Sequence, residues 1–298
     1  MKTEGVGCAI GAVAVWSTNA LAAKFALTEL SAAQVLALQF FGAVATIVIC
    51  RALTKGRTKN KFVFPGVQPI VVSIIGLVGT ISLQYLAFAS APIIAANILA
   101  YGWPMFIAVW YGLSRWSVRG LGFFAFSVIG FTGVTLIFVD GNALTYSGDY
   151  LAGYLFALGS AVCMAYFTIA VSRFPNANTD AFLVAAICGT LITGTIAFAG
   201  ESSWPSVSYL FTGIYIGIGP LAIGYYLWTR AMTQGEAARV AHIGYLTPLL
   251  STGLLLVTGE TFTAHSLIGA VLVIGASTGV LVYQDDQPAS TRLSGHTA

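Results

Sequence analysis

The sequence predicts an all-α integral membrane protein of ten transmembrane helices, arranged as two inverted five-helix repeats around a central cavity. Three observations predict it. First, 57% of the 298 residues are hydrophobic and only 8% are charged, against roughly 45–50% and about 25% in soluble globular domains. So few charges cannot solvate a soluble surface, whereas a helical bundle in lipid satisfies its backbone internally and needs charges only at loops and helix ends. Second, apolar runs of about 20 residues, long enough to cross a bilayer, recur along the whole chain. Third, a proline-broken run with an aromatic residue one turn before the break occurs twice, 144 positions apart: Tyr101 and Pro104, then Tyr245 and Pro248. Interrupted helices in corresponding places of two halves point to a transporter's binding site.

The first run, 5–25, follows Lys2 and continues past the small residues Ala20-Leu21-Ala22-Ala23. It carries Trp16, Asn19 and Lys24, which marks a retained helix rather than a cleaved leader. Nine more runs follow, at 32–52, 66–89, 93–113, 119–139, 150–171, 181–199, 208–231, 239–258 and 264–284. Pro65, Pro69, Pro92, Pro175, Pro205 and Pro288 fall at or near boundaries, where a missing amide proton is tolerated; Pro104, Pro220 and Pro248 fall inside and predict kinks. Glycines at short spacing, such as Gly130 with Gly133 and Gly213 with Gly217, are expected to pack helices closely.

Lysine and arginine in the loops set the orientation. One face receives twelve of the thirteen, from Lys2 and the Arg51–Lys61 cluster to Arg292; the other receives only Lys24. Both termini are therefore expected on the cytoplasmic side. Aligning Trp16–Phe25 with Ala165–Phe174 sets Lys24 opposite Arg173. The halves are then residues 1–139 and 140–284, followed by a cytoplasmic tail at 285–298. Five helices per half is an odd number, so the second half enters from the opposite side and the repeat is inverted.

Several chemistries are excluded. A net charge of +3 confined to loops implies no nucleic-acid partner. Cys8, Cys50, Cys163 and Cys188 fit neither a zinc site nor a secreted disulfide frame, and no metal or cofactor is expected. There is no His-Glu-x-x-His or Gly-x-Ser-x-Gly, and His242, His265 and His296 lie on separate segments, which sets aside an intramembrane enzyme.

No aspartate or glutamate falls near a predicted midplane, where ionisable groups mark function. The candidate substrate-binding residues are therefore neutral amides and aromatics together with one histidine: Trp16, Asn19, Gln84, Tyr85, Asn97, Tyr101, Trp103, Tyr166, His242 and Tyr245. Amides hydrogen-bond both ends of a zwitterion, and aromatic walls stack a flat side chain. Lys24, Pro104 and Pro248 are the gating or hinge candidates.

Trp16-Ser17-Thr18-Asn19 with Lys24, and the run from Tyr225-Tyr226-Leu227-Trp228 through Pro248 to Gly259-Glu260 and Leu267-Ile268-Gly269, resemble the EamA-type repeats of the drug/metabolite transporter superfamily. The resemblance spans about residues 5–284. It implies ten helices, a bacterial inner-membrane location and export of aromatic and other neutral amino acids or related metabolites. The superfamily also exports drugs and nucleoside-like metabolites, which stands as the alternative. The expected partners are a small-molecule substrate and the lipid bilayer, with a monomer favoured.

Overall fold

The computed structural model describes residues 3–53, 64–91, 93–114, 118–138, 150–171, 178–200, 206–234, 240, 242–257 and 264–285. The repeat boundary at 139/140, the tail beyond Asp285, and Lys2, Lys55, Arg57, Lys59, Lys61, Arg115, Arg173, Arg239 and Arg292 lie outside the described residues. Among those described, every regular element is helical. Six helical runs are long and apolar enough to cross a membrane, and Leu121–Leu136 forms a shorter apolar helix.

The first run is divided into α1 (Thr3–Ser17) and α2 (Asn19–Ala26). The cause is local: Ser17 Oγ donates to the Ala14 carbonyl at 2.7 Å and Thr18 Oγ1 to the Val15 carbonyl at 2.8 Å, and such hydroxyls compete with the helical ladder. α3 (Ala32–Leu53) is continuous. It opens with a capping box, Ser31 N–H donating to Gln34 Oε1 at 2.9 Å and Gln34 N–H to Ser31 Oγ at 3.3 Å.

The next run contains a feature that hydropathy does not signal. α4 (Val67–Ser73) widens into a π-helical segment, Ile74–Gly79, before α5 (Thr80–Ser90). π turns are rare and concentrate at functional sites. α6 (Ile93–Ala100) and α7 (Trp103–Ser114) follow, then α8 (Val118–Phe138), α9 (Leu151–Val171) and α10 (Asn178–Gly200). A second π segment, Gly217–Gly224, separates α11 (Val207–Ile216) from α12 (Tyr225–Gln234). A 3₁₀ turn at His242–Tyr245 leads into α13 (Leu246–Val257), and α14 (Ala264–Asp285) completes the described chain.

Two of the expected kinks take another form. The fourth run breaks at Tyr101-Gly102, and Pro104 sits in the first turn of α7, where no partner is needed for its missing N–H. Gly102 supplies the start of the new helix, its carbonyl accepting from Met105 and Phe106 at 3.0 and 3.3 Å. Pro248 likewise lies in the first turn of α13. Only Pro220 remains inside a helical run, and there the helix is π rather than α.

The helices pack α3 on α10, α8 on α14, α5 on α9 and α1 on α12, while the second π segment lies against α1 and α3. Large apolar side chains such as Leu191, Phe198, Phe211 and Val271 point outward, as a lipid-facing surface requires. Backbone contact is close along α3: a Cβ on Gly42 would come within 2.7 Å of the Ile214 carbonyl, and one on Gly213 within 2.8 Å of the Leu38 side chain. Small residues give this proximity, and dispersion then holds helices together in lipid.

Arg51 in the last turn of α3 pairs with Asp180 in the first turn of α10. The carboxylate also faces a helix N-terminus, which favours negative charge. Asp180→Asn is expected to lower stability by up to about 1.5–3 kcal/mol, the range for a hydrogen bond to a charged group, read as a lower melting temperature in detergent. An unchanged melting temperature would show that the pair does not hold the two helices.

Candidate substrate cavity

A partly open cavity of about 80 Å³ lies in the bundle, lined by side chains from both halves of the chain. Trp16 and Asn19 come from the α1–α2 break, Gln39 from α3, and Thr80, Ile81 and Gln84 from the turns following the first π segment. Ala100, Tyr101 and Trp103 come from the α6–α7 break, and Ser160 and Met164 from α9. Pro220 and Leu221 belong to the second π segment, Tyr225 to α12 and Thr247 to α13. The helix breaks and π segments thus converge on the cavity wall. None of the described lining side chains is charged.

Trp16, Trp103, Tyr101 and Tyr225 form its aromatic side, and Trp228 backs the two tryptophans from behind. Trp228, fully buried, lies between Trp16 at 5.2 Å and Trp103 at 5.3 Å, the latter edge-on at 85°. Tyr225 meets Trp16 at 5.5 Å and 71°. These are the tilted and edge-to-face arrangements that ring quadrupoles favour. The rings are fixed by polar anchors: Trp16 Nε1 donates to the Pro220 carbonyl at 2.9 Å, and Trp228 Nε1 to Thr168 Oγ1 at 3.1 Å. Tyr225 reaches the Gly76 carbonyl at a long 3.4 Å. Both accepting carbonyls belong to π segments.

The polar side is incompletely satisfied. Ser160 Oγ donates to the Thr80 carbonyl at 2.8 Å. Gln39 Oε1 and Thr247 Oγ1, on residues 1% and 2% exposed, have no hydrogen-bond partner, whereas Thr80 Oγ1 lies within reach of the Tyr225 hydroxyl. Leaving such an atom unpaired costs about 1–3 kcal/mol, so these two on one cavity wall offer acceptors that a bound molecule or water can complete.

Of the residues singled out from sequence, Trp16, Asn19, Gln84, Tyr101 and Trp103 line this cavity. Tyr85 is buried beside Gln84, its ring 5.9 Å from Phe88 and its hydroxyl unpartnered. Asn97 is buried one turn before Tyr101 and accepts that residue's N–H at its backbone carbonyl, 3.0 Å away. His242 and Tyr245 are fully buried in a packing cluster: His242 Nε2 bonds Ser127 Oγ at 2.7 Å, and the Tyr245 hydroxyl donates to the Ser127 carbonyl at 3.1 Å. Tyr166 is 43% exposed, on the outer face of α9. Lys24 is exposed near the end of α2. Gln39, Thr80, Ser160, Met164, Leu221, Tyr225 and Thr247 line the cavity without having been singled out. Gln39 carries the plainest signal, an amide in the middle of an apolar run.

A bundle of membrane-length helices around an uncharged, aromatic-walled cavity defines the class as a multi-pass membrane protein that accommodates a small molecule. Residues 151–282 match the EamA-like transporter family, in agreement with the drug/metabolite transporter resemblance. The chain is similar to the aromatic amino acid exporter YddG of Ancylobacter novellus, 28% identical over 220 residues, which cover 70% of this chain and 75% of that protein. It is also similar to the uncharacterized transporter YvbV of Bacillus subtilis, 26% identical over 178 residues, 57% of this chain and 55% of that one. A solved crystal structure shares the fold, with a TM-score of 0.82 at 23% identity, covering 96% of this chain and all of its own. The family and both relatives are transporters, not enzymes.

Proposed function

We propose that this protein exports aromatic and other neutral amino acids across a bacterial inner membrane by alternating access of two inverted five-helix repeats, 1–139 and 140–284. The observation that carries the reading is the cavity itself: aromatic rings on one side, and neutral hydrogen-bonding atoms without partners on the other. A zwitterion has no net charge to require a buried counter-ion, yet offers strong donors and acceptors to amides and hydroxyls. The name of the Ancylobacter relative supports the same substrate class.

Several features support the two-repeat arrangement. Helical structure occurs in each of the ten apolar runs. The π segments recur at nearly the spacing of the proline pairs: shifted by 144 residues, Ile74–Gly79 falls within Gly217–Gly224 and Gly76 falls on Pro220. These two residues provide the carbonyls that accept from Tyr225 and Trp16. Packing exchanges under the same correspondence, since α5 on α9 answers α12 on α1. The lysine and arginine bias supports cytoplasmic termini, with 285–298 as a cytoplasmic tail.

Proteoliposomes loaded with labelled phenylalanine or tryptophan test the function. Wild-type protein is expected to release the label, and unlabelled neutral amino acids to compete. Failure to move any neutral amino acid would remove the proposal, and competition by nucleosides or organic cations alone would replace it with metabolite or drug efflux. The paired substitution Gln39→Leu with Thr247→Val is expected to raise KM at least about fivefold, from two lost hydrogen bonds of about 0.5–1.5 kcal/mol each. It should preserve the melting temperature, because it removes two unpaired buried atoms.

A further inference from the structure

We propose that a cleft adjoining the central cavity, on the flank of the wall formed by the second π segment and α12, is a second amino-acid subsite, which loads the cavity from the end of the bundle that carries Arg51 and Asp180. The inference rests on the transport reading above and adds a site to it.

The cleft, about 40 Å³, lies between α3, α10 and the second π segment with α12. One wall serves both spaces. Pro220, Leu221 and Tyr225 face the central cavity, whereas Ala222, Tyr226 and Thr229 face the cleft. The partition is aromatic: Phe182 lines the cleft and packs 5.6 Å from Tyr225, which lines the cavity. Phe167 closes the group at 5.8 Å from Phe182 and 5.6 Å from Tyr225.

A second, independent observation points to a ligand. Thr229 is only 7% exposed, lines the cleft, and its hydroxyl has no partner. A buried hydroxyl left open is the exception in a folded protein. It is the same kind of vacancy that Gln39 and Thr247 present to the central cavity.

The described lining residues repeat the chemistry of the cavity: the Phe182 ring and the hydroxyls of Thr179, Tyr226 and Thr229, with no charged residue among them and Arg230 Nη1 donating to the Tyr226 hydroxyl at 3.4 Å. Its surroundings suit a zwitterion. Ile47 precedes Arg51 by one helical turn and Thr179 adjoins Asp180, so the paired guanidinium and carboxylate stand at this end of the cleft. An amino acid lodges with its side chain against Phe182 and its polar end toward the Thr229 hydroxyl. Turning Phe182 away from Tyr225 enlarges the cleft and joins it to the cavity. The shared wall is the π segment at 217–224, the kind of helical irregularity that concentrates at functional sites.

The test is the number of tritiated L-tryptophan molecules bound by the full-length protein in nanodiscs, counted by equilibrium dialysis. Wild-type protein is expected to bind two per chain at saturation. Ala222→Trp, which fills the cleft, is expected to leave one. Thr229→Val is expected to weaken one binding step about fivefold, the loss of one hydrogen bond, while the other step stays within about twofold. The valine variant is near-isosteric and preserves the test if the tryptophan variant does not fold. One bound molecule per chain, in a wild type that transports tryptophan, overturns the subsite and leaves the transport reading standing. Two bound molecules indifferent to both substitutions also overturn it. A wild type that neither binds nor transports tryptophan removes the transport reading, and the subsite with it.

Discussion

Gly217→Ala is expected to abolish transport and to destabilise the bundle by about 3 kcal/mol or more, at the upper end for an overpacked interior. Gly217 opens the second π segment and rests on the backbone of α3. A Cβ there would collide with the Gln39 carbonyl oxygen and approach the Gln39 carbonyl carbon and Gly42 Cα at 2.9 Å. These are backbone atoms, so no side-chain rotation relieves the contact; α3 and the π segment must separate. Separation costs twice. It opens a seam whose tight approach is the packing force between helices in lipid, and it shifts Gln39, whose side chain lines the cavity from the same residue. Gly194→Ala is the matched control: nothing lies within 4 Å of a Cβ at that position, and alanine in a helix interior is favoured over glycine by about 0.5–1 kcal/mol. Melting in detergent and efflux from proteoliposomes measure both. Wild-type stability and flux in Gly217→Ala would show that the α3 seam has room to spare and plays no part in the cycle.

The all-helical membrane class was legible because the bilayer imposes it: thickness sets run length and the absence of water forbids unpaired backbone. The duplicated Tyr–Pro spacing was legible for a different reason, since proline constrains the chain wherever it stands. The exact break was not. Pro104 suggested a kink at its own position, but proline is compatible with a first helical turn, so the chain breaks earlier at Tyr101-Gly102. The π segments were invisible, because an extra residue in a turn leaves hydropathy unchanged. Which face of each helix turns inward was also hidden, as apolar side chains suit both lipid and interior. Met164 and Tyr166 show the consequence, two positions apart on α9 with the methionine in the cavity wall and the tyrosine outside. The glutamines of α3 were read alike from sequence, and the structure separates them: Ser31-Ala-Ala-Gln34 forms a capping box, which gives Gln34 a structural task, while Gln39 Oε1 has no partner.

Trp103→Ala is expected to reduce transport at least tenfold, through loss of one wall of the cavity. The indole lies at the start of α7, nearly buried, with its edge directed at Trp228 and its ring set against the backbone of Gly244, where an added Cβ would run into it. It therefore connects the α6–α7 break to the 3₁₀ turn at His242–Tyr245, the two places where the repeated Tyr–Pro segments interrupt their helices. Truncation removes ring stacking for the substrate and about 3–5 kcal/mol of packing, the usual cost of a buried tryptophan cut to alanine. Loss of transport alone would thus be ambiguous, and two further variants separate the causes. Trp103→Phe retains an aromatic wall and is expected to recover most of the stability with KM raised several-fold, about 1 kcal/mol of lost stacking. Gly244→Ala leaves Trp103 in place but pushes its ring toward the cavity, so it should raise KM while the indole and the fold are retained. If both variants transport with wild-type KM while Trp103→Ala fails only by unfolding, the indole is a packing residue and the aromatic wall that recognises substrate is Trp16 with Tyr225. If KM rises in both, the ring that joins the two interrupted helices is also a ring that meets the substrate, and movement of either break is coupled to occupancy of the cavity.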